Sequence, residues 1–404
     1  MKKASAYLTG SSVQFGFNVI FQLYMPVFLL ANFSELETVE WFVAIATFTA
    51  ITAFDFGVLQ YLQFRLFRLY KNVVASRERT KLHMSYNTFF WLTFLFILTI
   101  NLFINEFFFE KFYWLSIAVS IGFVNRYLQI TLRGCGHFTI GLLINTLPVV
   151  SFIIYLSLFF EDNIDFYNLQ YIFCIAQILA TACHIVYITI RTQASILIIF
   201  RWRKVHDFFT KSVSFWWLSI LQTLNQFLPP VVLNSVYSAT DLLPYLTLRT
   251  LTSLPLSVAS VINNAIQPFV TDTLTMNVRT KKAVLKKVNI LFTLLGMTLS
   301  LLLIVFGKLF YEFWLSGEIK FETILFYVLV FRMILHMFIQ LQQNLSLGLG
   351  KPLTTLPYDI FILTGLLLGK VMSLYWTMKI ESFVLLFVVL PSLTSILYVQ
   401  LLRN

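Results

Sequence analysis

Charge is scarce in this chain: Asp, Glu, Lys and Arg make up 12% of its 404 residues, about half the share of ordinary soluble domains. With 58% hydrophobic residues and a mean hydropathy of +0.81, a water-exposed globule is excluded. Cysteine is rarer still. Cys135, Cys174 and Cys183 have no metal-ligand spacing, so neither a disulfide framework nor a zinc site is expected. No G-x-x-x-x-G-K-[ST] run is present, which removes a P-loop nucleotide site. No histidine cluster or carboxylate pair stands out, and Cys183 cannot share a helix face with the adjacent His184. His184 therefore reads as a packed core residue, and neither catalysis nor a cofactor is expected. The formal net charge of +11 does not point to nucleic acid, because the charges are segregated by position.

Long polar segments are also missing. Apolar runs of about 20 residues recur throughout, each enough to cross a hydrocarbon core of about 30 Å. Spans are expected at about 10–31, 39–62, 84–104, 112–132, 138–160, 168–190, 213–234, 242–270, 288–307, 323–346, 353–376 and 382–402. The chain is thus expected to be an all-α polytopic membrane protein of about twelve transmembrane helices. The basic start MKKASAYLTG has no small-residue cleavage site after it and reads as a retained first helix.

Lys and Arg in short loops favour the cytoplasmic side. With a cytoplasmic N-terminus, 21 basic residues fall inside and four, Lys111, Lys308, Lys320 and Lys379, fall outside. Both termini are therefore expected in the cytoplasm. The segment 191–211, RTQASILIIFRWRKVHDFFTK, mixes apolar residues with Arg201, Arg203, Lys204 and Lys211, which suits a helix at an anionic interface. It divides the chain into an N-terminal six-helix bundle, 1–190, a linker, 191–212, and a C-terminal six-helix bundle, 213–404.

The halves look like repeats. Asn18, Gln22, Pro26 and Val27 have the spacing of Gln222, Gln226, Pro230 and Val231, and QITLRGCG (129–136) shares Q-x4-G-x-G with QNLSLGLG (343–350). Six spans restore the starting side, so the repeat is parallel, about a pseudo-two-fold axis along the membrane normal.

Against this apolar background the polar residues inside spans stand out. Arg126, Arg249 and Arg332 would each cost roughly 2.5 to 3.5 kcal/mol facing lipid and are expected to line a wet interior. Lys370 lies near an interface and can snorkel. Arg332, His336, Gln340 and Gln343 recur at helical spacing, as do Gln14, Asn18 and Gln22 on the first helix and Gln222, Asn225 and Gln226 on the seventh. Singly, such amides are interhelical hydrogen bonds. Three amide-lined helices beside arginines favour an aqueous cavity between the halves, suited to an anion that also carries hydroxyls. Trp216 and Trp217 either stack on a sugar face or belong to an interfacial belt. Asp55 and Asp359 are intramembrane carboxylates and coupling candidates, Asp55 serving either as a proton carrier or as a partner of Arg126.

The amide-bearing first helix, F-D-F-G-x-x-Q-Y-L at the end of the second, the basic loop after it and the Q-x4-G-x-G turn after the fourth resemble the O-antigen and capsular polysaccharide flippases. These belong to the multidrug, oligosaccharidyl-lipid and polysaccharide exporter superfamily. The resemblance implies a bacterial inner-membrane flippase that moves an undecaprenyl-pyrophosphate-linked oligosaccharide from the cytoplasmic to the periplasmic leaflet by alternating access. It also implies ion-gradient coupling and, as partners, the lipid bilayer, a polysaccharide polymerase and a chain-length regulator. The alternatives are another secondary transporter of that superfamily and a membrane polysaccharide polymerase. Short loops outside count against the polymerase, and a basic interior counts against export of organic cations.

Overall fold

The computed structural model describes residues 2–69, 76–135, 137–158, 165–191, 202–272 and 278–403, and every regular element among them is helical. In chain order these are α1 (Lys2–Asn32), α2 (Glu35–Ile51), α3 (Val58–Leu69), α4 (Ser76–Phe108), α5 (Tyr113–Gly134), α6 (Phe138–Leu158) and α7 (Phe166–Arg191). They are followed by α8 (Trp202–Asn234), α9 (Ala239–Asp272), α10 (Val278–Trp314), α11 (Thr323–Gly348), α12 (Leu356–Met372), α13 (Ile380–Val384) and α14 (Leu390–Arg403). The chain is an all-α multi-pass membrane protein. Among the described residues ten helical segments are long and apolar enough to cross a bilayer. The seventh and eighth expected spans fall in α8 and α9, of 33 and 34 residues, which are diluted by amides, hydroxyls and Arg249. Residues 192–201 of the expected linker lie outside the described residues, and its remainder is continuous with α8.

The second expected span is not one helix. α2 stops at Ile51, a 3-10 turn covers Thr52–Phe54, and Phe56 and Gly57 take left-handed backbone angles (φ 54° and 70°) before α3 starts at Val58. Glycine adopts that conformation without penalty, whereas Phe does not. Asp55 stabilises the break: its carboxylate accepts the N–H groups of Gly57 (2.8 Å) and Leu59 (3.2 Å), which have no acceptor inside the helix that begins there.

Prolines account for other irregularities, since each removes a donor from the helical ladder. Pro391 leaves the carbonyl of Phe387 without its donor, and Leu385–Val389 widen into a π turn between α13 and α14. Gly365 and Gly369 of α12 lie against that turn: a Cβ at 365 would overlap Pro391 and sit 2.6 Å from the Phe387 carbonyl oxygen. Small residues four apart let helices approach this closely in a bilayer. Gly365→Leu is therefore expected to lower stability by about 3 kcal/mol, the upper range of overpacking; a melting temperature unchanged in detergent would contradict it. In α1, near Pro26, the Leu23 carbonyl accepts Trp314 Nε1–H at 2.7 Å.

The residues group into two compact units that are not continuous in sequence, one of 1–21 and 47–220, the other of 22–46 and 221–404. The first unit is built around α5, which packs on α4, α6 and α7. Asn125 of α5 donates to Gln177 Oε1 (2.9 Å), and His184, fully buried, faces Asn125 Oδ1 at 3.3 Å. His184 is thus a packed core residue. In the second unit α9 and α11 pack together and α12 lies on α14. There Lys370 Nζ donates to Ser235 and the Tyr237 hydroxyl to the Met378 carbonyl at 3.0 Å. Burial and the carboxylates of Glu381 and Asp241 push the Tyr237 hydroxyl up to about 12, so it remains a donor at neutral pH.

Candidate functional site

The second unit holds a cavity of about 200 Å³. Two sets of residues at helical spacing build most of it. On α11, Arg332, His336 and Gln340 follow one another at four-residue steps, with Leu329 and Met333 beside them. On α9, Arg249 is followed by Thr252, Ser253, Leu256 and Ser257, the positions one and two turns on. Gln226 of α8 and Gln22 of α1 complete the lining. Sequence reasoning singled out Arg249, Arg332, His336, Gln340, Gln22 and Gln226, and all six meet here. The hydroxyl stripe of α9 was missed, although its offsets from Arg249 make it readable.

Among the described residues no carboxylate lines the cavity. The guanidiniums of Arg249 and Arg332 act on one another, and both act on His336. Arg332 has no hydrogen bond or ion pair among the described residues, so its donors remain available to a ligand. Arg249 donates through Nη2 to the backbone carbonyl of Gln226. That carbonyl lies four residues before Pro230, which has no N–H to offer it. Gln22 Oε1 and Gln340 Oε1 are buried acceptors without a partner among the described residues. Thr252 and Ser253 spend their protons on the carbonyls of Arg249 (3.2 Å) and Thr250 (2.8 Å), which leaves oxygen lone pairs. The site therefore offers positive charge to an anion, and the Thr252 and Ser253 oxygens as acceptors to hydroxyl groups.

The remaining amides have other positions. Asn225, buried, turns to Asp359 of α12, donating through Nδ2 to Asp359 Oδ1 at 2.7 Å, while Gln343 Nε2 donates to Asp359 Oδ2 at 2.7 Å. Asp359 has no cationic partner among the described residues, and Asn225 Oδ1 is buried without a partner. Gln222 is half-buried on α8, and Gln14 and Asn18 are half-buried on α1 within the first unit; none of the three lines the cavity. Trp216 packs on Phe56 with ring centroids 5.2 Å apart, and neither Trp216 nor Trp217 lines the cavity.

Arg126 lies on α5 of the first unit, exposed, and attracts Asp55 through space without a direct ion pair among the described residues. Of the two readings of Asp55, the link to Arg126 is an attraction through space and not a contact pair among the described residues, while each carboxylate oxygen accepts one backbone N–H at the start of α3.

Solved structures of transporters share this fold. One, the inward-facing conformation of a multidrug resistance MATE family transporter of the MOP superfamily, is similar at TM-score 0.72 and 12% identity over 98% of this chain and 97% of that one. The outward-facing conformation of such a transporter gives 0.71 and 12% over 99% and 95%. A MOP superfamily transporter from Pyrococcus furiosus, described as having a binding pocket of reverse polarity that suggests a different function, gives 0.70 and 13% over 99% and 95%. No family model and no curated protein matches the sequence.

Proposed function

We propose that this chain is a MOP-superfamily transporter that binds the anionic head of a lipid-linked oligosaccharide at Arg249 and Arg332 and carries it across the membrane by alternating access. The observation that supports this most is the cavity's charge: two guanidiniums and an imidazole with no carboxylate among the lining residues. Its volume of about 200 Å³ is below the roughly 300 to 1,000 Å³ of pockets for drug-sized ligands, and so suits a phosphate-bearing head rather than a whole repeat unit. The hydroxyl oxygens of Thr252 and Ser253 suit the first hydroxylated sugar beyond it. An undecaprenyl-pyrophosphate-linked O-antigen or capsule unit combines these groups, with its prenyl tail left in lipid. This reading places the protein in a bacterial inner membrane, both termini cytoplasmic, working beside a polymerase and a chain-length regulator. A pocket of this sign is wrong for organic cations, and the Pyrococcus furiosus structure is itself described as one of reversed pocket polarity.

Complementation of a flippase-deficient strain tests the reading. The expected result is recovery of surface polymer and loss of accumulated lipid-linked units; expression in the membrane with neither change would overturn it.

Of the two coupling candidates, Asp359 is the one we assign to a small cation. Asp55 is held by backbone N–H groups that any native state of α3 needs, whereas Asp359 is held by two side-chain amides that can turn their oxygens toward a cation. Asp55→Asn keeps an acceptor for Gly57 and is expected to retain gradient-dependent transport. Asp359→Asn is expected to lose it. Transport measured across imposed proton and sodium gradients separates the two, and the reverse pattern would return the role to Asp55.

A further inference from the structure

Arg249 presents an electrostatic problem whose solution lies in α8. A guanidinium carries five donors and no acceptor, so orienting one inside a membrane protein takes an acceptor held in place. A carboxylate partner would hold it but would also cancel the positive charge that an anion must meet. The partner here is a neutral backbone carbonyl, that of Gln226, which in an uninterrupted helix would be occupied by the N–H of residue 230. Residue 230 is proline, so the carbonyl has no helical donor.

We propose that Pro230 is a positioning residue for anion binding: by leaving the Gln226 carbonyl open, it orients the Arg249 guanidinium toward the cavity while keeping its full charge. The contrast with Arg332 follows. One arginine of the site is anchored, and the other has its donors available among the described residues. Gln226 itself is also a residue of the cavity wall.

The neighbouring Pro229 supplies an internal control. It lies in the same helix and disturbs the same turn, but the carbonyl it leaves open is that of Asn225, which no hydrogen bond connects to Arg249. Pro230→Ala returns an N–H to the Gln226 carbonyl and puts it in competition with Arg249; Pro229→Ala does not.

Two measurements on the purified full-length protein test this. The first is a double-mutant cycle in melting temperature, run without ligand, between Pro230→Ala and Arg249→Ala. Pro230→Ala is expected to shift the melting temperature by different amounts in the presence and absence of Arg249, whereas Pro229→Ala shifts it equally in both. Additive effects for Pro230→Ala would overturn the proposal. The second is binding of inorganic pyrophosphate. Pro230→Ala is expected to weaken it about tenfold, the value of one charge-assisted hydrogen bond, and Pro229→Ala by less than about twofold. The proposal rests on the anion-site reading only for this second measurement. Coupling in the cycle with no pyrophosphate binding by the wild type would remove the anion reading and leave the Pro230–Arg249 link standing. Equal weakening by both proline variants would overturn the positioning role, since it would reflect a general change in α8.

Discussion

Arg332→Ala is expected to abolish surface polysaccharide in a complemented flippase-deficient strain while the protein stays in the membrane at the wild-type level. The size of the loss follows from what the side chain offers. Its donors have no partner among the described residues, so all are available to a phosphate, and a bidentate guanidinium–phosphate contact is worth about 3 kcal/mol or more, roughly two orders of magnitude in affinity. Retention of the protein follows from the same observation. Among the described residues no carboxylate pairs with Arg332, so its removal orphans none of them and relieves its repulsion with Arg249. Arg332→Lys keeps the charge without the planar fork and is expected to fall between the two. Immunoblotting of membranes alongside polysaccharide staining checks both halves, and normal polymer from the alanine variant would remove Arg332 from the transport path.

Gly57→Ala is expected to be the most damaging single methyl group that can be added to the first unit. The backbone at Gly57 is left-handed, φ 70°, which costs an L-residue about 1 to 2 kcal/mol. Steric overlap adds to it. The new Cβ would lie 2.7 Å from the Ser212 carbonyl oxygen and 2.8 Å from the Phe215 carbonyl carbon, and in contact with the Trp216 nitrogen. These are backbone atoms of α8, which cannot rotate aside as a side chain can. A combined loss of more than about 3 kcal/mol is expected, within the class of severe overpacking and strain effects. It would appear as a lower melting temperature and reduced yield from membranes. Wild-type melting by Gly57→Ala would show that the turn has another accessible conformation.

What the sequence revealed depended on how far each feature was periodic. The cavity stripe on α11 was legible because Arg332, His336 and Gln340 repeat at four residues in an apolar background, where only one face can be polar. The pairing of Gln22 with Gln226 was legible from the matching prolines. Asn225 was grouped with Gln222 and Gln226 by helical spacing, yet Asn225 and Gln226, being adjacent, point about 100° apart, and Asn225 turns to Asp359 instead. Asp55 misled for a different reason: read as part of a continuous helix it is an unpaired intramembrane charge, whereas the Phe56–Gly57 turn supplies it with two backbone donors. Gly57 was the available signal for that break. Arg126 was placed with the other arginines by composition, and only the tertiary structure separates it, on α5 of the first unit, from the Arg249–Arg332 cavity. The α9 hydroxyls were overlooked because Ser and Thr in apolar helices usually bond their own backbone, as Thr252 and Ser253 do.

The dilution of α8 and α9 bears on how the protein is made. Both emerge from the ribosome one after the other and carry Gln226, Arg249 and the α9 hydroxyls that line the cavity, groups that raise the cost of passing each helix into lipid. Their insertion then depends on company: the polar stripe of each must be shielded by other helices before it can leave the insertion channel. Biogenesis of the second half is thus tied to the presence of helices already in the bilayer, and the polar residues that line the cavity also bear on the order in which the chain can enter the membrane.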